Sequence, residues 1–576
     1  MKKLCLALSV LLLIAILVSC VAAPSPGLPS SSAAPAVSSV PQGDDGASWP
    51  VYLKKSKIAS QPASFIPIDE VGGFDPAIIT KELLAKPSSL PDASVESIPY
   101  WTGFVIDNMA TINFADARWK DLTDGSGNFY EENIKVIADE GFNCARVLYS
   151  LSYLSNVDDP LSINETQLKS LDELISWGIK YNVHIMLSIT GLPGKGAEMD
   201  EQTKYIWPNE ALDNEFVSTN NTLFSDTQLA DLYRQYMAML VSRYRELPSR
   251  YLSVELLAEP AVPDWDVTVY EDVLVPIVSE LKGIDPQRIF IANDVAKQVP
   301  ERLAEIGCAL SLHNHIYSVD NSRFPEIEYQ PTWPMQYFPG IINDPNQVLT
   351  LVSEQGFGQG TVEVYVNHLD WSKGGLTVKA DGQEILSAVP DKSGWFSADL
   401  AQGVKKLTIG INQPGHIEIN GVRVAQSGLE PVTLVRHDIY TSEEPNEMPT
   451  IMVHPDGALE NISGQALDSD YFYRTYLKKF IDTTKKYNVG FLMTEVGTDT
   501  YSLSKEDYKA YESTWLKALR DNNIPWMYNC LHGVFAPQGS VQTDVAYSCG
   551  FTQIEQVPGT PFEKVTEIFE FLQSYR

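Results

Sequence analysis

Residues 254–260 read Val254-Glu255-Leu256-Leu257-Ala258-Glu259-Pro260, an apolar run closed by an acidic side chain. A short apolar run of this kind, with residues 252–257 as its strand, suits a strand covered on both faces. Working outward, residues 225–245 and 269–282 flank it with amphipathic, helix-period stretches. The same alternation extends in both directions. Strands are expected at residues 103–106, 144–149, 183–189, 252–257, 289–292, 309–316, 490–494 and 524–528. Helices are expected at 130–140, 165–180, 225–245, 269–282, 299–306, 469–487 and 505–521, with 561–574 closing the chain. Strands alternating with helices imply a parallel sheet. Eight such pairs imply an α/β fold, a closed (β/α)8 TIM barrel.

One region breaks the alternation. From 346 to 435 the helical period disappears, and short strands at 361–366, 376–380, 406–411 and 416–419 are separated by Gly-Gly, Asp-Gly and Asn-Gly steps. Such steps favour tight hairpins. The region is expected to be an all-β, sandwich-like domain inserted between strands 6 and 7, dividing the barrel into residues 51–345 and 436–576.

A barrel of this class places its chemistry at the C-terminal ends of its strands. Two glutamates stand there: Glu259 after the fourth strand, and Glu495 in Phe491-Leu492-Met493-Thr494-Glu495-Val496-Gly497 after the seventh. Other polar landmarks are Gly141-Phe142-Asn143-Cys144-Ala145-Arg146 at the second strand, His315-Ile316-Tyr317 at the sixth and Trp526 at the eighth.

Together these segments resemble family five of the clan A glycoside hydrolases, the cellulase family, over about residues 101–576 without the β insert. Glu-Leu-Leu-Ala-Glu-Pro is similar to its Asn-Glu-Pro acid/base motif, and Thr-Glu-Val-Gly to its nucleophile segment. The resemblance implies a retaining hydrolysis of O-glycosyl bonds, which uses two carboxyls about 5 to 5.5 Å apart. Glu259 would be the acid/base and Glu495 the nucleophile. Arg146 would keep Glu495 ionised, Tyr317 would hydrogen-bond it, His315 would contact sugar or tune Glu259, and Trp526 would stack on the sugar ring. Two positions depart from the family pattern: Ala258 stands where an asparagine is usual, and Ser188 where a histidine is common. Asn143 and Asn314 are candidates to replace the missing amide. The implied activity is an endo-β-1,4-glucanase, with a β-mannanase or xyloglucanase as the alternative, or a carbohydrate-binding lipoprotein of impaired catalysis. Trp371, Trp395 and Tyr365 of the insert read either as a sugar platform or as packing.

The N-terminus has the form of an export signal. Lys2 and Lys3 precede an apolar run to Val18, and Leu17-Val18-Ser19-Cys20 is similar to the lipobox of bacterial lipoproteins. Residues 1–20 are therefore expected to be a signal peptide, Cys20 the site of lipid attachment, and 21–50 a Pro- and Ser-rich tether. This implies an exported monomer held at the outer face of the cell membrane. Cys144, Cys308, Cys530 and Cys549 lack metal-type spacing, so neither metal nor cofactor is expected; Cys530 and Cys549 pair or remain separate thiols. A net charge of −32 excludes nucleic acid as a partner, since phosphate binding needs clustered Lys and Arg. A neutral polysaccharide fits that charge.

Overall fold

The computed structural model describes residues 72–106, 131–154, 163, 165–191, 223–224, 227–258, 260, 262, 266–295, 297–316, 337–342, 345–367, 374–412, 415, 417–438, 448–463, 468–498, 505–529, 531–537 and 562–576. Eight parallel strands close into a barrel. They are β1 (Thr102–Ile106), β2 (Cys144–Ser150), β3 (His184–Gly191), β4 (Leu252–Glu255), β5 (Ile289–Asn293), β6 (Ala309–Ile316), β7 (Phe491–Thr498) and β8 (Trp526–Tyr528). Each pairs with the next, and β8 returns to β1 with Thr102 opposite Trp526. The fold is the expected (β/α)8 barrel.

Alternation along these strands makes two cores. One set of side chains, including Trp101, Val105, Cys144, Met186, Ile289, Ile291, Ala309, Leu492 and Met527, fills the barrel interior. The other set, including Phe104, Ala145, Val147, Ile185, Leu187, Val254 and Leu310, faces outward into the larger cluster shared with the surrounding helices. This is the physical reason that the strands read as continuous apolar runs: both faces are dry. Helices approach closely where small residues allow it. A Cβ on Gly178, in the helix Glu165–Tyr181, would come within 2.7 Å of Ile185 Cγ1 on β3.

The barrel floor is made of polar groups that satisfy one another. His184 stacks on Trp101 with ring centroids 3.7 Å apart. Its Nδ1 donates to the Arg250 carbonyl at 2.9 Å, which leaves Nε2 to accept from the Ser253 hydroxyl at 2.8 Å. Burial pushes the imidazole down to about 3, so it is neutral and fixed in one tautomer. On the outer side, buried Asp172 accepts from Arg243, the Tyr244 hydroxyl and the Asp75 backbone N–H, fastening the segment that precedes β1.

The inserted domain is a sandwich of two sheets, and it lies between β6 and β7 as expected. One sheet runs Gly394–Leu400, Gly360–Asn367, Ile417–Gln426, Val432–Asp438 and Tyr337–Pro339, with Ile341–Ile342 beside the central strand. The other runs Gln383–Ala388, Leu376–Ala380, Lys406–Ile411, Leu349–Val352, Thr450–Val453 and Leu459–Asn461. The sheets therefore extend from Tyr337 to Asn461, beyond the expected 346–435. Val362, Val364, Val366, Val422 and Val424 point into the sandwich with Leu351, Leu407 and Ile409. Tyr365 and Trp395 lie on the opposite face. Their rings meet edge to face at 5.3 Å, Arg423 stacks on Trp395 at 4.7 Å, and both rings pack against the barrel-centred cluster that includes Val435. This is the packing reading of these aromatics, while Trp371 lies outside the described residues. Among the described residues, no helix is long and apolar enough to cross a membrane.

One buried group is out of balance. Glu512, in the helix Lys505–Asp521, is 1% exposed, and neither carboxyl oxygen has a hydrogen-bond partner. Desolvation pushes it up to about 8. A carboxyl raised in the fold binds its proton more tightly there than in the unfolded chain, so stability falls as pH rises from the ordinary glutamate range toward 8. Glu512→Gln is expected to stabilise the protein by on the order of 1–3 kcal/mol at pH 8 and by little at pH 4.5. Calorimetric melting at both pH values checks this; a gain that does not grow with pH would show Glu512 to be ordinary.

Candidate active site

The polar residues of the barrel interior gather toward the C-terminal ends of the strands. On β2 the inward positions are Cys144, then Arg146; on β4 they are Ser253, then Glu255. Arg146 Nε donates to Glu255 Oε2 at 2.6 Å and Nη2 to Oε1 at 3.1 Å, a bidentate fork. Its Nη1 donates to Glu495 Oε1 on β7. One guanidinium thus joins three strands across the barrel.

Glu495 reaches this position through a backbone irregularity. Along β7, Leu492 points inward and Met493 outward, so simple alternation would aim Thr494 at the axis and Glu495 away from it. The register slips by one residue at this point against both neighbours. Met493 faces Leu312 while Glu495 faces the next residue, His313; on the other side Met493 faces Trp526 and Val496 faces Tyr528. Thr494 is the extra residue of a β-bulge, and the bulge turns Glu495 into the barrel. The cost is visible in Thr494, which is fully buried with no hydrogen-bond partner for its hydroxyl.

Arg146 and Glu255 are wholly shielded, whereas Glu495 is 4% exposed. Burial works against the Arg146 charge, but the adjacent Glu255 and Glu495 more than offset it and hold the guanidinium above its ordinary range. The cation is permanent and carries one charge between two carboxylates.

Beside Glu495, His313 on β6 donates from Nδ1 to Asp294 Oδ1 at 2.7 Å. Asp294 also accepts from the backbone N–H groups of His313 and Lys297, and the Lys297 ammonium donates to the His313 carbonyl. Burial opposes the Asp294 charge, but His313 and Lys297 hold the carboxyl below its usual range. The ring of His313 is thereby fixed next to Glu495. Ser188, in register with Glu255, is fully buried and its hydroxyl has no partner.

The structure brings together Arg146 and Glu495 from the expected set. For the rest, the backbone of Ala258 donates to Ile189 of β3 at 2.7 Å and Pro260 is buried, whereas Glu259 between them lies outside the described residues. His315 and Asn314 lie on β6, opposite Gly497 and Val496, with side chains outside the described residues. Tyr317, Cys20, Cys530 and Cys549 are also outside them. Cys144 and Cys308 are buried free thiols.

Two expectations are corrected. Trp526 opens β8 at the base of the barrel, is fully buried on its outer face, and donates from Nε1 to the Tyr100 hydroxyl at 3.3 Å. It is a packing residue and cannot stack on a sugar at the mouth. Asn143 precedes β2 at the same base: its Oδ1 accepts from Thr102 N–H and its Nδ2 donates to the Tyr100 carbonyl. It therefore cannot supply the amide missing at 258.

Three residues at the mouth were not singled out by the sequence reading: Glu255, His313 as a partner of the site, and Asn529. Alternation was the available signal. Glu255 lies two residues beyond inward Ser253, and Asn529 two beyond inward Met527. Among the described residues, no cluster of His, Cys, Asp and Glu has the makings of a metal site.

No protein-family model matches the chain, and no curated protein matches it. Solved structures resemble it at low identity. A glycoside hydrolase is 12% identical with a TM-score of 0.42, covering 83% of this chain and 99% of its own. The endoglucanase Cel5A from the hyperthermophilic Thermotoga maritima is 12% identical with a TM-score of 0.38, covering 74% and 89%. The cellulose synthase subunit Z from Clostridioides difficile is 12% identical with a TM-score of 0.36, covering 82% and 99%.

Arg146→Met would leave two buried carboxylates without a cation. Such a loss is expected to cost about 3–5 kcal/mol at pH 7, with part recovered at pH 5, where one carboxyl can take up a proton. Urea unfolding at the two pH values measures it; a cost below about 1 kcal/mol would mean the cluster is not held by charge.

Proposed function

We propose that the protein is a retaining glycoside hydrolase acting on β-linked polysaccharide, an endo-β-1,4-glucanase before a β-mannanase or xyloglucanase. The observation that carries this reading is Glu495, turned into a barrel mouth by a bulge and bonded to a buried, permanently charged arginine. A carboxylate kept ionised in this way is suited to attack an anomeric carbon.

In this reading Glu259 is the partner, since it follows β4, the strand that supplies Glu255 to the same cluster. Glu495 forms a bond to the anomeric carbon as the glycosidic bond breaks, and Glu259 gives its proton to the departing oxygen. Glu259 then takes a proton from water, the water oxygen bonds to the anomeric carbon, and Glu495 is released. His313, fixed by Asp294 beside Glu495, is placed to contact the sugar. Ala258 and Ser188 leave out polar groups usual at this subsite, which favours a modest rate over a high one. Attachment through Cys20 would hold the enzyme at the outer face of the membrane as a monomer, with the net negative charge facing a neutral glycan.

The two carboxyls are separable by leaving group. On β-glucan, mannan, xyloglucan and xylan, both Glu495→Gln and Glu259→Gln are expected to be inactive or slowed on the order of 10²–10⁴-fold. On aryl glycosides with acidic phenols, which leave without a proton, Glu259→Gln should retain its first step while Glu495→Gln should not. Binding of glycans by the wild type without any turnover would instead support a carbohydrate-binding lipoprotein and sink the enzyme reading.

A further inference from the structure

We propose that Glu255 is a positioning residue that sets the reactivity of Glu495 through Arg146, an inference that rests on Glu495 being the nucleophile. Arg146 needs only one counterion to be neutral, and Glu495 already provides it. The structure nevertheless places a second carboxylate, fully shielded from water, on the opposite edge of the same guanidinium. Burying an extra carboxylate is costly, and this one takes two of the arginine N–H groups while Glu495 takes one.

Two effects follow from that sharing. The bidentate fork fixes the plane of the guanidinium, and so fixes where Nη1 meets Glu495. It also neutralises much of the field that Arg146 would otherwise direct at Glu495. A carboxylate facing an undivided buried cation is strongly stabilised as an anion and is correspondingly a poorer nucleophile. Arg146 keeps Glu495 ionised, and Glu255 keeps Arg146 from overbinding it.

The other charged or titratable groups facing Glu495 lie on different elements. Among the described residues these are His313 on β6, backed by Asp294 and Lys297. In the proposed site Glu259 and Tyr317 join them. A substitution at 255 leaves all of these in place, so a change in the titration of Glu495 can be traced to the division of the arginine charge.

The test is the pH dependence of kcat/KM for the full-length chain on an activated aryl β-glycoside, comparing wild type, Glu495→Gln, Glu255→Gln and Glu255→Asp. Removing the negative charge at 255 favours ionised Glu495, so the acid limb of Glu255→Gln is expected to move to lower pH by about one unit or more. Its kcat should fall more than about tenfold with KM little changed, because a transition-state interaction is weakened and not binding. Glu255→Asp keeps the charge but withdraws it by one methylene, and should fall between wild type and Glu255→Gln in both readouts. It carries the test alone if the glutamine variant does not fold. Loss of rate with the acid limb unmoved in both variants would make Glu255 merely structural and overturn the inference. An inactive wild type, or an undiminished Glu495→Gln, would overturn the nucleophile reading and this inference together. An active wild type with a dead Glu495→Gln and an unmoved limb at 255 overturns the inference alone.

Discussion

A single buried cation ties the barrel together at its working end. Arg146 spans the interior from β2 to β4 and β7, three strands that come from distant parts of the chain. An arginine in a dry barrel needs hydrogen-bond acceptors on more than one side, because its five donors spread around a plane. Two glutamates supply them from the other strands: one at the inward end of β4, and one on β7 in the inward phase. Apolar side chains fill the rest of the interior, with Val105 and Met186 in register with Arg146 and Ile291 with Glu255, and help to keep the ion cluster out of water.

The architecture was legible because burial on both faces leaves a strong mark. Each of the eight barrel strands appears in the sequence as a compact apolar run, and the loss of helical period marks the insert by its turn residues. Depth along a strand left no comparable mark. Trp526 and Asn143 sit in segments with the right composition, but at the base of the barrel; nothing in the local residues distinguishes the start of a strand of three residues from its end. The phase of Glu495 was also hidden. A period of two, continued from Leu492, sends this glutamate outward, and only the extra residue at Thr494 reverses it. A bulge is set by pairing with two other strands, and no pattern within seven residues records it. Glu255 was passed over for the opposite reason: lying inside the strand, it reads as part of an apolar run and not as a residue of the mouth.

The insert shows how packing competes with display. Aromatic side chains on the outer face of a sandwich are available for ligands only where nothing covers them. Here Tyr365 and Trp395 meet the barrel-centred cluster, and Arg423, paired with Glu363 at 2.6 Å, lies over the indole. Both rings are half-buried and share their face with Val435 of the same domain, while the strand Gln383–Ala388 leaves Gln383, Glu384 and Ser387 exposed.

The stitching of the insert also bears on how the chain reaches its folded form. The β6–β7 pairing that completes the barrel spans everything from Ile316 to Phe491, a sequence separation that makes closure entropically demanding for a flexible connection. The sandwich removes much of that demand, because its first strand, Tyr337–Pro339, and its last, Leu459–Asn461, are built into its own two sheets. A folded sandwich thereby lowers the entropy lost when β6 and β7 pair and Glu495 meets Arg146.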